Sequence, residues 1–162
     1  FNAQYMHHKS AEELSAIYQP ILREHGIEVS DEVAGKAAFI MKERATFVSD
    51  LWDLTSYFFV APTEYEEKQL KKYWKGENPA RLAELREVLA SIDDFSLENT
   101  EQIVHAWITE KEYGMGQIMN TLRLALVGAG KGPGMYDVTS FIGKEECLKR
   151  IDYLISNIEP LE

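Results

Sequence analysis

Residues 10–26, "SAEELSAIYQPILREHG", contain the start, the apolar face and the end of one α-helix. Ser10 and Glu13 have the spacing of a capping box, in which each side chain accepts a hydrogen bond from the backbone N–H of the other residue. Apolar residues recur at helical spacing between the two ends, at Leu14, Ile17, Tyr18, Ile21 and Leu22. Gly26 favours a helix stop, and Pro20, which has no backbone N–H, predicts a kink or a break. The stretch therefore predicts an amphipathic helix.

Signals for helix starts and ends continue along the chain. Ser30, followed by the acidic residues Asp31 and Glu32, predicts the start of a second helix. The apolar and aromatic stretch "FVSDLWDLTSYFF", residues 47–59, shows no alternation and predicts a third helix rather than a strand. Further helices are predicted at roughly 64–75, 79–90, 97–112, 115–127 and 144–157, and Asp137 is the predicted N-cap of a short helix that ends near Gly143. Neither an Asn-Gly hairpin signal nor an internal repeat occurs in the sequence.

A boundary between two subdomains is predicted in the stretch "VAPTEYEE". Pro62 interrupts the helical pattern, and Thr63 with Glu66 has the spacing of a second capping box, which predicts that a new helix starts there. Other helix ends are marked by Gly76 and Gly114 as stops and by Asn78 as an N-cap before Pro79. The predicted fold is all-α, with two small helical-bundle subdomains in tandem at 1–62 and 63–162.

The composition is acidic and contains one cysteine. Asp and Glu number 27 against 17 Lys and Arg, giving a formal net charge of −10, which argues against a nonspecific binder of polyanions. Cys147 cannot form an internal disulfide and is expected to be packed rather than reactive. The sequence has neither a long apolar run nor an apolar leader, so no membrane partner is expected. The lone cysteine favours a reducing compartment, and we expect a cytoplasmic monomer. Because the chain starts at Phe1, it is expected to be a piece of a longer protein.

The sequence predicts no catalytic site, no metal site and no cofactor in this chain. Glu101 and His105 are four residues apart on a predicted helix, which suits half of a di-metal site. A second such pair is missing, so a surface pair is favoured. The glycine-rich stretch around Lys131 is not a phosphate loop, because Gly132 follows the lysine where Ser or Thr is required and an apolar helix precedes it instead of a strand.

The stretch "MNTLRLALVGAGKGPGMYD", residues 119–137, differs from the rest of this acidic chain, since no Asp or Glu occurs within 113–136. Glycines let a backbone approach a ligand closely, and Pro133 stiffens the turn. Met135 and Tyr136 offer surfaces on which flat rings stack. The absence of acids removes local repulsion of phosphate. The stretch therefore predicts a site for single-stranded bases, whereas a simple helix connector would explain two of the glycines but not the missing acids.

Three basic residues are candidates for contacts with such a ligand. Arg44 ends a helix in "FIMKERATF", where a cation interacts favourably with the helix C-terminus, and reading of a base edge is the alternative. Arg123 is the only charged residue between Glu112 and Lys131 and lies among apolar residues. It is therefore either paired with an acid from another helix or reads a planar ligand with its fork of donors. Lys131 could supply a phosphate contact.

Several motifs resemble those of one enzyme family. From Thr121 to Ile151 the sequence reads "TLRLALVGAGKGPGMYDVTSFIGKEECLKRI". It resembles "PLRxALTGxxxxPGLFE" followed by "LLGKERxLxRL", the pattern at the C-terminal end of bacterial glutamyl-tRNA synthetases. "FNAQYMHHKSAEEL" resembles the W-[FM]-N-x-x-Y start of that family's anticodon-binding region, and "FIMKERATFVSDL" resembles its M-[RK]-x-R stretch. The resemblance covers nearly the whole chain, and it is strongest at 117–151 and weakest across 64–100.

The resemblance implies an all-helical region that binds the anticodon stem-loop of glutamate tRNA. It implies that Arg44 reads the third anticodon base. It also implies that the bases before it are contacted by Arg123, Gly132, Pro133 and Met135. Two of these residues depart from the family's pattern. Gly132 replaces a residue that can carry a hydroxyl group, and Met135 replaces a leucine. The resemblance also implies a Rossmann-like catalytic domain, N-terminal to this chain, that uses ATP and Mg to attach glutamate. The HIGH and KMSKS-type signatures of that domain do not occur here, so this chain alone is not expected to catalyse aminoacylation.

A protein–protein scaffold is the alternative function. It would use exposed aromatic side chains around Trp52, Tyr57 and Phe58 as a partner surface, without binding nucleic acid. The burial of these three side chains distinguishes the two hypotheses, because a docking surface must be exposed.

Overall fold

Helices form the regular secondary structure of the part that the structure describes, apart from one isolated β-bridge. The computed structural model describes residues 9–42 and 50–161. Its α-helices are α1 Ala11–Glu24, α2 Asp31–Met41, α3 Asp50–Thr55, α4 Glu67–Tyr73, α5 Asn78–Ala90, α6 Leu97–Lys111, α7 Met115–Val127, α8 Met135–Ile142 and α9 Lys144–Asn157. A 3₁₀ turn at Ser56–Phe58 follows α3, and an isolated β-bridge joins Lys75 to Leu161. No strand occurs within these ranges, and the all-α prediction is confirmed.

The chain divides into two compact units, Phe1–Val60 and Ala61–Glu162. The division lies just before Pro62, close to the predicted boundary. In the first unit, α1 packs along α2, and both helices contact α3. A Cβ atom placed on Gly35 of α2 would lie 2.3 Å from the carbonyl oxygen of Ala11, so these two helices approach each other at backbone distance.

Helix α1 starts at the predicted capping box and continues through its proline. The backbone N–H of Glu13 donates to Ser10 Oγ at 3.2 Å, and the backbone N–H of Ser10 donates to Glu13 Oε1 at 3.2 Å. Of the kink or break predicted at Pro20, the break does not occur, since α1 extends from Ala11 to Glu24. Proline removes one hydrogen bond of the helix, whereas the buried side chains on both sides of it, Tyr18 and Leu22, keep the helix against the core.

The second unit is built around α9, which packs against α5, α7 and α8. Trp74, which follows α4, is buried, and its indole N–H donates to the carbonyl oxygen of Ile158 at 2.8 Å. The backbone N–H of Leu161 donates to the Trp74 carbonyl oxygen at 2.8 Å. Lys144 Nζ donates to the carbonyl oxygens of Ile92 at 2.8 Å and Ala90 at 3.4 Å, where α5 ends. These contacts fix the ends of the helices within this unit.

The capping box predicted at Thr63 and Glu66 is wrong. Helix α4 begins at Glu67, later than that pattern requires, and Glu66 is its N-cap without a side-chain capping bond. The Glu66 carboxylate instead accepts a hydrogen bond from the backbone N–H of Gly130 at 2.8 Å. A contact between residues far apart in the sequence has therefore replaced the local one.

Three other helix ends differ slightly from their predicted residues. Helix α5 starts at Asn78 rather than after it, and the Asn78 side chain donates to the carbonyl oxygen of Tyr73 at 2.8 Å. Helix α6 ends at Lys111, its C-cap Glu112 has a left-handed backbone (φ 58°), and Gly114 is the N-cap of α7 rather than a stop. Asp137 lies in the first turn of α8 and is not its N-cap. The predicted third helix, residues 47–59, is described only from Asp50 onward.

Candidate nucleic-acid interface

The loop between α7 and α8, residues 128–134, contains most of the predicted site and is called the α7–α8 loop below. It begins where α7 ends in a left-handed glycine, Gly128 (φ 80°), whose backbone N–H donates to the carbonyl oxygen of Leu124 at 2.9 Å. A Cβ atom on Gly128 would lie 2.8 Å from Pro62 Cβ and 2.9 Å from the carbonyl oxygen of Glu64. Glycine is required here both for the backbone conformation and for the close approach of residues 62–64.

Arg123 reaches from α7 to this loop. Its side chain is half-buried, and Nη1 donates to the carbonyl oxygen of Lys131 at 3.0 Å. The sequence had left open an ion pair or a ligand contact for this residue. In the structure the guanidinium contacts the loop backbone next to the exposed Lys131 side chain.

The neighbourhood of the loop is free of acids along the sequence but not in space. The Glu66 carboxylate contacts the backbone N–H of Gly130, and the backbone N–H of Glu66 donates to the Gly128 carbonyl oxygen at 2.8 Å. Folding brings this acid from a segment 64 positions away in the sequence. The predicted absence of acids around the loop is therefore wrong, because an acid that is distant in the sequence contacts the loop in the fold.

The loop exposes some of the predicted site residues and buries others. Lys131 is exposed, Gly132 is half-buried and Pro133 is buried. Met135 and Tyr136 are 5% and 7% exposed. The predicted open stacking surfaces on these two side chains are absent in this conformation, because both lie in the first turn of α8 and point into the second unit.

Tyr136 contacts a ring of the neighbouring helix α6. The centroids of the Tyr136 and His105 rings are 5.4 Å apart at an interplanar angle of 67°. Burial raises the pKa of the Tyr136 hydroxyl, and the charge of Glu101 adds to the effect. The His105 and Glu101 pair that was considered as half of a metal site thus lies beside a buried phenol. No group of three or more His, Cys, Asp or Glu residues placed to hold a metal ion occurs in the described ranges.

Sequence reasoning assigned no role to Arg150, which supports the loop from α9. The side chain is 2% exposed, and Nη1 donates to the carbonyl oxygen of Leu126 in the last turn of α7 at 2.8 Å. Nε donates to Glu146 Oε2 at 2.7 Å. A cation at a helix C-terminus is favourable and satisfies a carbonyl that the helix leaves unpaired. The spacing of Glu146 and Arg150 was visible in the sequence, but the Leu126 carbonyl was not.

The aromatic surface needed for a scaffold is not available where it was expected. Tyr57 and Phe58 are 4% and 5% exposed. Trp52 stacks on His25 with ring centroids 3.9 Å apart and planes 6° from parallel. Arg44, the remaining predicted site residue, lies outside the described residues.

Other residues of the described part contribute no further chemistry to the site. Cys147 is buried, and burial raises the pKa of its thiol to about 12, as expected for a packed cysteine. None of the helices described above is long and apolar enough to cross a membrane.

The chain is similar to several known proteins. It is 51% identical over 151 residues to the glutamate–tRNA ligase of Phocaeicola vulgatus, covering 93% of this chain and 30% of that protein. It is 50% identical to the glutamate–tRNA ligase of Bacteroides fragilis over the same shares of the two chains. A crystal structure of a glutamate tRNA ligase from Elizabethkingia meningosepticum in complex with its amino acid matches with a TM-score of 0.91 and 40% identity, over 98% of this chain and 31% of that one.

These matches concern one region of longer proteins, since the chain spans about a third of the length of the relatives it matches. The model of the anticodon binding domain family matches residues 7–155, which include most of both compact units and the α7–α8 loop. The chain belongs to the anticodon binding domain family.

Proposed function

We propose that this chain binds the anticodon stem-loop of glutamate tRNA as the anticodon-binding region of a glutamate–tRNA ligase. The observation that carries the proposal is the family match over residues 7–155. Relatives about half identical over nearly the whole chain are glutamate–tRNA ligases, which supports the choice of glutamate tRNA.

The geometry of the α7–α8 loop supports this function. Lys131 is exposed on a backbone that contacts Arg123 through the Lys131 carbonyl oxygen and Glu66 through the Gly130 N–H. A fixed loop loses little conformational entropy when it binds a ligand. The ammonium group of Lys131 is suited to a phosphate of the tRNA backbone, because such contacts are electrostatic and require no particular base.

Base contacts are proposed for the other site residues. Arg123 donates from its fork to a base edge while it holds the loop, and the backbone at Gly132 and Pro133 lies against the bases. Met135 is mostly buried, so we propose that its side chain packs beneath the loop and makes only a marginal contact with a base. We assign Arg44 the reading of the third anticodon base. Both Arg44 and Arg123 would thereby distinguish anticodons, since bidentate arginine contacts discriminate between bases.

The remaining parts of the proposal concern the whole enzyme. We propose that an N-terminal catalytic domain uses ATP and Mg to attach glutamate to the tRNA. We also propose that the enzyme acts in the cytoplasm as a monomer.

A titration with tRNA at several salt concentrations tests the function. The full chain should bind glutamate tRNA, and the logarithm of its affinity should fall linearly with the logarithm of salt concentration. Lys131→Ala should weaken binding at low salt and make this slope shallower by about 0.7, the value for one phosphate contact to a single strand. Lys111→Ala, which removes an exposed lysine at the end of α6, is the matched control and should leave the slope unchanged.

Two outcomes contradict the proposal. If the unaltered chain did not bind glutamate tRNA even at low salt, the anticodon role would be wrong. If both lysine variants changed the slope equally, the contact would be a general effect of charge and not a property of the α7–α8 loop.

A further inference from the structure

The α7–α8 loop is held by one residue that lies outside it. Glu66 contacts the loop at two points, with its backbone N–H donating to the Gly128 carbonyl oxygen and its carboxylate accepting from the Gly130 N–H, each at 2.8 Å. These two loop residues are separated by a single residue, so the pair of contacts fixes both the position and the direction of the backbone between them.

The two glycines at these points have little room for a side chain. A Cβ atom on Gly130 would lie 2.6 Å from Gln69 Nε2, and one on Gly128 would meet Pro62 and the Glu64 carbonyl at less than 3 Å. The protein's own segment 62–69 therefore occupies the space beside these glycines. Glycine at these positions permits an internal contact, in addition to any approach of a ligand.

A further point of the loop is held by Arg123, whose Nη1 donates to the Lys131 carbonyl oxygen at 3.0 Å. The contacts of Glu66 and Arg123 thus fix three positions, 128, 130 and 131, immediately before the half-buried Gly132. The direction in which the exposed Lys131 side chain leaves the loop depends on these contacts.

We propose that Glu66 is a positioning residue for tRNA binding, which holds the α7–α8 loop in the conformation that binds the anticodon. This inference rests on the proposed function. Glu66 acts through the loop backbone and does not itself touch the tRNA. Its carboxylate carries a negative charge beside a site for a polyanion, and this charge opposes phosphate binding. The acid is useful there because it accepts a hydrogen bond that fixes the loop.

The two effects of Glu66 predict changes of opposite sign, which makes the proposal testable. If the carboxylate only repelled phosphate, both Glu66→Ala and Glu66→Gln would strengthen tRNA binding. If it positions the loop, Glu66→Ala should weaken binding about tenfold, because the loop must then be ordered on binding. Glu66→Gln should bind within about threefold of the unaltered chain, because its amide oxygen still accepts from Gly130 N–H.

The control is the neighbouring acid Glu67. It is exposed, it pairs with Lys71 at 3.0 Å across one turn of α4, and its side chain is 80% exposed. Glu67→Ala changes the net charge by the same amount as Glu66→Ala. The dissociation constant of the control for glutamate tRNA should stay within about threefold of the unaltered chain, since exposed pairs of this kind contribute little.

The experiment combines tRNA titrations of the full chain with amide hydrogen exchange measured by NMR without tRNA. Exchange of the Gly130 amide should accelerate about tenfold in Glu66→Ala and stay near the original rate in Glu66→Gln. Weaker tRNA binding by the Ala variant together with near-normal binding by the Gln variant is the expected result. Equal or tighter binding by both Glu66 variants would overturn the proposal.

The exchange measurement separates failure of this inference from failure of the proposed function. An unaltered chain that did not bind tRNA would refute the proposed function, and unchanged Gly130 exchange in Glu66→Ala would refute the positioning role. If Glu66→Ala failed to fold, the Gln variant would decide the matter, because a loss of tRNA binding with a preserved fold would contradict the proposed rescue.

Discussion

The guanidinium of Arg123 donates to the carbonyl oxygen of Lys131, so this arginine fixes the loop next to the exposed lysine side chain. A guanidinium carries several N–H donors in a rigid fork. One arginine is therefore able to hold a backbone carbonyl and contact a base at the same time. Lysine has no such fork, and the two residues are not interchangeable at a position that requires both contacts.

Substitution of Arg123 by Ala should affect both stability and tRNA binding. The lost hydrogen bond involves a charged donor, so the free energy of unfolding of the second unit should fall by about 1–2 kcal/mol. The dissociation constant for glutamate tRNA should rise about tenfold, which corresponds to one base contact. Urea unfolding and tRNA titration of the same variant provide the two values. A variant that is less stable but binds tRNA with the original affinity would show that Arg123 acts on the fold alone.

At the scale of single residues, the sequence identified Arg123 correctly as unusual but did not identify its partner. A lone charge in an apolar helix was visible, whereas the Lys131 carbonyl approaches it only through the path of the loop. Met135 shows the reverse case. Its apolar character was visible, but its 5% exposure follows from the orientation of α8 on the second unit, which no local pattern records.

Among the elements, the turn from α7 into the loop depends most strongly on residue type. Gly128 combines a left-handed backbone with contacts to Pro62 and Glu64 that leave no space for a Cβ atom. Arg150 satisfies the Leu126 carbonyl just before this turn. The end of α7 is therefore fixed by its own glycine, by α9 and by the segment that precedes α4.

Alanine substitutions at Gly116, within α7, and at Gly128, its C-cap, should change the stability of the second unit in opposite directions. Gly128→Ala should destabilise the second unit by about 1–3 kcal/mol, because a left-handed alanine is strained and its Cβ meets backbone atoms. Gly116→Ala is the control, since Gly116 lies in the first turn of α7 with open space around its Cβ position. It should stabilise the helix by up to about 1 kcal/mol. Thermal unfolding measures both, and a neutral Gly128→Ala would contradict the described turn.

Helices were predictable from the sequence where their signals are local. The capping box of α1 and the approximate ranges of α5, α6, α7 and α9 follow from caps and helical spacing. The pattern at Thr63 and Glu66 is equally good locally but fails, because Glu66 instead contacts Gly130 across the unit. Pro20 does not break α1 for a related reason, since burial of the helix face outweighs one lost hydrogen bond.

At the scale of the whole molecule, a protein with a net charge of −10 is proposed to bind a polyanion. General attraction cannot supply the affinity of such a protein, so binding must depend on a few placed contacts. Recognition by this chain should therefore depend on the anticodon bases and not only on the phosphate backbone. The resemblance of its motifs to glutamyl-tRNA synthetases indicates this function, whereas the contacts that support the loop are visible only in the structure.

The most direct test compares two RNA stem-loops that differ only in their anticodon. One has the anticodon stem-loop sequence of glutamate tRNA, and in the other the three anticodon nucleotides are replaced. Binding of the full chain to both is measured by titration at one low salt concentration, because affinities at different salt concentrations are not comparable. We expect the replaced anticodon to weaken binding about tenfold or more, as loss of at least one base contact implies. Equal affinity for the two stem-loops would show that the chain does not read the anticodon.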